Sequence, residues 1–146
     1  KGLGGGVPSG AILTKHKDIF SPGDHGSNFG GNFLVTRAAL EVLDILDKYK
    51  DTGALDEAII YFESKLTAIF EKYPNIFTSK VGLGLMRGLR AKDEATLAAI
   101  IKNSFEQGVL VLKSGRNTLR FLPVLTITKE QIDEGFKRLD DAISKI

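Results

Sequence analysis

The glycines of this chain are unevenly placed: nine of its sixteen lie between positions 2 and 31, and the next is Gly53. With Pro8 and Pro22 among them, they make the first 31 residues a poor source of regular structure. Glycine loses the most backbone freedom on ordering, and proline offers no amide donor. Such a density implies loops that need positive φ or that let the backbone approach something bound. Within it, GAILT at 10–14 reads as a short buried strand, and His16 to Phe20 as a helical turn.

From Asn32 onward the pattern is helical. Leu34, Ala38, Val42, Leu46 and Tyr49 recur at three or four residues behind Asn32 as N-cap. A second helix carries Leu55, Ile59, Phe62, Leu66, Phe70 and Tyr73 on one face and stops at Pro74-Asn75. Val81, Leu83 and Leu85 then alternate with Gly82, Gly84 and Met86, which predicts one strand running toward Leu89 with Arg87 as its polar member. Asp93 caps a helix through Phe105 that Gly108 ends. VLVLK at 109–113 and TLRFL at 118–122 flank SGRN, a hairpin with glycine in its turn. Thr128 and Gln131 stand at capping-box spacing before a helix whose face is Ile132, Phe136, Leu139, Ile143 and Ile146. Residues 76–146 therefore read as a small sheet covered by helices, an α+β layer arrangement.

Composition narrows the function. Twenty basic against eighteen acidic residues give a net charge of +2, and the basic residues are scattered, so neither nucleic acid nor an anionic membrane is an expected partner. The absence of cysteine excludes disulfides and thiolate metal sites, and two histidines leave little for zinc; no metal site is expected. No apolar run approaches the ~18 residues of a membrane span, which points to a soluble chain. The first residue is lysine and the glycine-rich stretch has no strand before it, so the chain is expected to be a piece of a longer protein.

Three segments carry the candidate chemistry: KGLGGGVPSGA at 1–11, HGSNFGGN at 25–32, and LRFLPVLTIT at 119–128 followed by the helix QIDEGFKRL. Taken alone, the first is a tight surface turn, since neither GxxxxGK nor a clean GxGxxG is present. Arg120 is an awkward permanent charge among Leu119, Phe121 and Leu122 unless an anion meets it, and a planar guanidinium suits a carboxylate. Its bland alternative is an edge-strand arginine facing solvent. Arg87 is a structural ion-pair candidate.

Together and in this order, the three segments resemble the C-terminal signatures of the class III pyridoxal-phosphate-dependent aminotransferases, the third being closest to the acetylornithine and ornithine members. The resemblance covers essentially the whole chain. It implies the α/β fold of the C-terminal part of a fold-type I transferase: residues 1–31 end a large cofactor-binding domain, 32–50 form a connecting helix, and 51–146 make a small α+β domain. Lys1 then occupies the place of the Schiff-base lysine, where a primary amine both joins the coenzyme aldehyde and moves a proton. Ser27 and Asn28 fall in the loop that binds the cofactor phosphate across a dimer interface, and Arg120 at the substrate α-carboxylate. The family commonly has threonine where this chain has Asn28, proline where it has Phe33, and an apolar residue at Ser9. His25 is expected to shape its loop rather than act as a base. The activity implied is transfer of the δ-amino group of N2-acetylornithine to 2-oxoglutarate by a cytoplasmic homodimer with shared active sites, in arginine biosynthesis. Ornithine, succinylornithine and 4-aminobutyrate are alternative donors, and a noncatalytic module that kept the fold is the rival from another class. These 146 residues alone are expected to be inactive.

Overall fold

The computed structural model describes residues 2–146, and the chain divides into two compact units, one ending at Thr52 and one running Gly53–Ile146. In the first unit, the only helix or strand among the described residues is α1 (Phe33–Asp51). Asn32 caps it, its side chain accepting from the backbone N–H groups of Leu34 and Val35 at 3.1 Å each. Lys48 and Lys50 lie in its last turn, where cations complement the helix dipole. No residue of α1 is buried. The strand expected at Gly10–Thr14 does not form; those residues are exposed and unpaired. A strand needs a ladder partner, and among its described residues this unit holds no other strand. Around Lys17–Asp18 the chain makes a turn rather than a helical segment.

The second unit begins with α2 (Ala54–Lys72), followed by β1 (Phe77–Leu83), β2 (Met86–Ala91), α3 (Glu94–Glu106), β3 (Leu112–Ser114), β4 (Thr118–Phe121) and α4 (Lys129–Ile143). The strands form one sheet in the order β1-β2-β4-β3, every neighbouring pair antiparallel. The single strand expected over 81–89 is instead a hairpin. Gly84, at φ 59°, opens a two-residue turn with Leu85, and glycine at that first position favours a type II′ reversal. A second difference lies in the β3–β4 turn, where Arg116 and Asn117 take positive φ, at 57° and 53°, while Gly115 does not. Ile146 lies beyond α4 and is exposed.

Alternation along the strands gives the sheet two unlike faces. Leu89 stands opposite Leu119 and Arg87 opposite Phe121 on one face; Gly88 opposite Arg120 and Arg90 opposite Thr118 on the other. The hydrophobic core lies on the first. Leu89 and Leu119 pack with Phe62, Leu66 and Ile69 of α2, Leu97 and Ile100 of α3, and Ile132, Phe136, Leu139 and Ile143 of α4. Complete burial of each such aliphatic side chain contributes about 1.5–3 kcal/mol before entropy is counted. The capping box of α4 forms as its spacing requires, with Thr128 and Gln131 bonding reciprocally. No side chain of the opposite sheet face belongs to the core.

Candidate functional site

The glycine-rich start is two successive turns, closed by Gly5 N–H to Gly2 O and Val7 N–H to Gly4 O, both 3.1 Å. Gly5 and Gly6 take φ of 60° and 107°, which side chains rarely adopt. A Cβ on Gly4 would lie 2.3 Å from Val7 O and 2.6 Å from Ser9 Oγ. Ser9 Oγ therefore lies against the buried Gly4, without a hydrogen-bond partner of its own. Lys1 itself lies outside the described residues.

A second loop leads into α1. Ser27 Oγ accepts from Gly30 N–H at 2.8 Å, which leaves the Ser27 O–H to donate elsewhere. Asn32 closes the same loop by donating from its amide to Phe29 O at 2.7 Å. Ser27 and Asn28 are both exposed. His25 sets its ring edge-on against Phe20 at 4.5 Å, a packing contact that suits a loop-shaping residue. The two loops meet: Leu3, Pro8, Ser9 and Gly10 from the first and Gly30 and Gly31 from the second line one cleft of ≈ 580 Å³ with Val35 and Ala39 of α1. Glycine backbone at Gly10, Gly30 and Gly31 and the Ser9 hydroxyl line it beside apolar side chains, with no carboxylate, a setting that admits a phosphate-bearing group; Ser27 and Asn28 are not among its lining residues.

The second unit supplies the arginines. On the helix-covered face, Glu63 of α2 pairs with Lys80 at 2.9 Å and with Arg87, and Arg87 also donates to Gly82 O at 2.6 Å. Burial alone pushes the Glu63 carboxyl up, but the hydrogen bond from Lys80 and the charges of Arg87 and Lys80 outweigh it and hold it below the usual glutamate value. Arg87 is thus the structural ion pair its position suggested. Arg120 is different. It lies between Gly88 of β2 and Leu112 of β3. Its Nε, like that of Arg87, is buried without a hydrogen-bond partner, but unlike Arg87 it has no acidic side chain paired with it among the described residues. A half-buried guanidinium in that state is suited to receive an anion. Gly88 keeps the strands close beside it, since a Cβ there would come 2.5 Å from Thr118 Cγ2 and 3.2 Å from Val81 Cγ2.

Sequence reasoning passed over Arg90 and Ser79, which share Arg120's face of the sheet. The available signal was the spacing in MRGLRA: Arg87 and Arg90 are three apart on a strand and so point to opposite faces. That parity identifies Arg90 as the one not aimed at α2. An apolar cleft of ≈ 190 Å³ in this unit, lined by Phe62, Phe121, Pro123 and Phe136 among others, involves neither Arg90 nor Arg120. No cluster of histidine, aspartate or glutamate among the described residues could hold a metal ion, and no helix among them is long and apolar enough to cross a membrane.

The aminotransferase class-III family model matches residues 1–143. The chain belongs to that family. It is 53% identical, over its full 146 residues, to an acetylornithine aminotransferase of Wolinella succinogenes, of which it spans 37%. A succinylornithine transaminase of Photorhabdus laumondii is 39% identical over 99% of the chain, which spans 37% of that protein. Among solved structures, the acetylornithine aminotransferase of Elizabethkingia anophelis superposes on 88% of the chain with a TM-score of 0.75 at 29% identity, the match covering 33% of that structure. The chain thus spans little more than a third of the curated relatives it matches.

Proposed function

We propose that the whole protein is a pyridoxal-phosphate-dependent aminotransferase that moves the δ-amino group of N2-acetylornithine to 2-oxoglutarate, a step of arginine biosynthesis in the cytoplasm. In this reading residues 1–31 end the large domain, 32–50 connect, and 51–146 form the small domain. The observation that supports it most is a cleft of the first unit lined by both glycine-rich segments that carry the family resemblance. The coenzyme supplies an aldehyde and an electron-withdrawing ring; everything else falls to side chains.

The Lys1 amine would hold the coenzyme through its aldehyde, and its Nζ, once free, would move the proton at the carbon bearing the substrate nitrogen. The Ser27 hydroxyl, the Asn28 amide and the backbone around Gly30 and Gly31 bind the phosphate, the serine pre-set by its bond from Gly30 N–H. Arg120 takes the substrate α-carboxylate through two parallel N–H···O bonds, which fixes the reacting carbon relative to the amine. Homodimerisation with active sites shared across the interface accords with α1, a long helix none of whose residues is buried.

The similarity to a succinylornithine transaminase favours succinylornithine as the second donor to consider. Full-length Lys1→Ala is expected to lose steady turnover, the visible absorbance of the bound coenzyme and borohydride labelling at position 1 together. Retention of full activity by that variant removes the assignment. A donor panel on the wild-type enzyme then ranks acetylornithine against succinylornithine and ornithine.

A further inference from the structure

The pairing of β3 with β4 stops at Leu112 opposite Arg120. Residues 109–111 precede β3 outside the sheet, and Pro123, two residues past β4, has no N–H with which to carry the ladder on. Both segments line the apolar cleft of ≈ 190 Å³. Its aromatic wall is one cluster: the Phe62 ring lies 5.0 Å from Phe136 and 6.0 Å from Phe121, edge-on to each, and Phe121 lies 6.1 Å from Phe136. Among the described residues no charged side chain lines the cleft, and the one polar side chain is Gln131. The Gln131 Oε1 already accepts from Thr128 N–H at 3.0 Å, which leaves the amide nitrogen to donate. Gly135 keeps the cleft open. It stands in the middle of α4, where glycine destabilises a helix relative to alanine. Yet its φ is not positive, and a Cβ there would meet nothing within 4 Å. Neither backbone geometry nor crowding requires glycine; what its missing side chain leaves is room in the cleft that it lines.

An unfilled apolar cleft forfeits dispersion contacts along its walls, and water gains little in a space that offers it few polar partners. Volume and lining say what fills it instead. A cavity of ~150 Å³ lined by leucine, isoleucine and phenylalanine is enough for one benzene ring, so ≈ 190 Å³ admits a ring with a small substituent. Three phenylalanine rings favour an aromatic ligand, which adds offset or edge-to-face contacts to the area it buries. The uncharged lining disfavours an ionised ligand, whose lost hydration nothing there offsets. The Gln131 amide calls for a hydrogen-bond acceptor on the substituent. We propose that this cleft is a binding site for a neutral, one-ring aromatic molecule bearing an oxygen, of the phenol or benzyl alcohol class. Its ring packs against Phe62, Phe121 and Phe136, and its oxygen accepts from Gln131. Arg120, next to Phe121 on β4, points to the opposite face of the sheet and takes no part.

The test is isothermal titration calorimetry on the full-length holoenzyme, with phenol and benzoate as probes and 2-oxoglutarate present at saturation throughout. Phenol is expected to bind once per chain with a Kd of about 1 mM or tighter, within reach of so small a ligand. Benzoate should bind at least tenfold more weakly, because its charge has no partner in the cleft. Gly135→Leu fills the space and is expected to weaken phenol at least tenfold, while its thermal midpoint stays at or above that of the wild type. Should the leucine variant fail to fold, Gly135→Ala takes its place: the added methyl should weaken phenol measurably and raise the midpoint. Absence of phenol binding to the wild type means that another part of the enzyme occupies the cleft, and overturns the proposal. So does phenol binding that 2-oxoglutarate abolishes when the titration is repeated without it, or that both Gly135 variants leave intact. Benzoate bound as tightly as phenol overturns the assignment to a neutral ligand.

Discussion

Two helices of nineteen residues follow one another in this chain with opposite fates. α1 has the better local signals: a side-chain N-cap in Asn32 and two lysines at its C-terminal end. α2 starts from Gly53 at φ 74°, with no side-chain cap. Yet α2 buries Ala58, Phe62, Leu66 and Ile69, whereas α1 buries nothing. Leu34 and Leu40 of α1 are 74% and 55% exposed, and Leu66 of α2 is 0% exposed. Caps and periodicity decide whether a segment is helical; they do not supply the surface that its apolar stripe needs. For α2 that surface is the sheet it precedes. For α1 the proposed remainder of the enzyme and its second copy fill the role.

The contrast can be broken most directly by cavity creation. In these 146 residues, Leu66→Ala should cost about 2–5 kcal/mol, whereas Leu34→Ala should change stability by less than ~0.5 kcal/mol, both read from urea unfolding. Equal losses would show that α1 is already supported. Repeating Leu34→Ala in the full-length protein sharpens the point, because its cost should rise if the rest of the enzyme covers that face. A smaller effect is expected at Gly88, where an added methyl meets Thr118 Cγ2 at 2.5 Å. Gly88→Ala should destabilise the second unit by about 1–3 kcal/mol in the same unfolding measurement. Full stability in that variant means that the strands separate there without cost.

The smallest effect concerns acid. Glu63 is held ionised by Lys80 and Arg87, its pKa lower when folded than when unfolded. A carboxyl depressed in this way stabilises the fold above the ordinary glutamate pKa, about 4.3, and that contribution fades as pH falls through the lower, folded value. Glu63→Gln should therefore flatten the acid limb of the second unit's stability curve, by no more than ~1 kcal/mol, and leave the first unit's helical signal unaffected. Thermal melts followed by circular dichroism between neutral pH and pH 3 would show it; an unchanged acid limb would mean that the ion pair contributes nothing.

Much of the candidate site was legible in the residues themselves. Arg120 stood out as a charge on an otherwise apolar strand and Arg87 as an ion-pair candidate, whereas Ser27 was reached only through the family resemblance. Arg90 stood out in neither way, because its place beside Arg120 lies in a register with a strand far along the chain, and nothing local announces which residues will face each other. The hairpin at Gly84 was missed for a related reason. Alternating valine, leucine and glycine satisfies a period of two whether the chain runs straight or reverses, and only a left-handed glycine marks the reversal.

By itself, then, the sequence of this protein determined its helices and their ends: the Asn32, Asp93 and Thr128 caps, the stop at Pro74 and the capping box with Gln131 all form as spacing dictates. These are contacts within three or four residues, closed by short-range geometry alone. Only the tertiary structure decided which stripe was buried, where the sheet folded back on itself, and which two guanidiniums came to share a face of the sheet. Each of those depends on pairing between distant segments, where the gain appears only once both partners are in place.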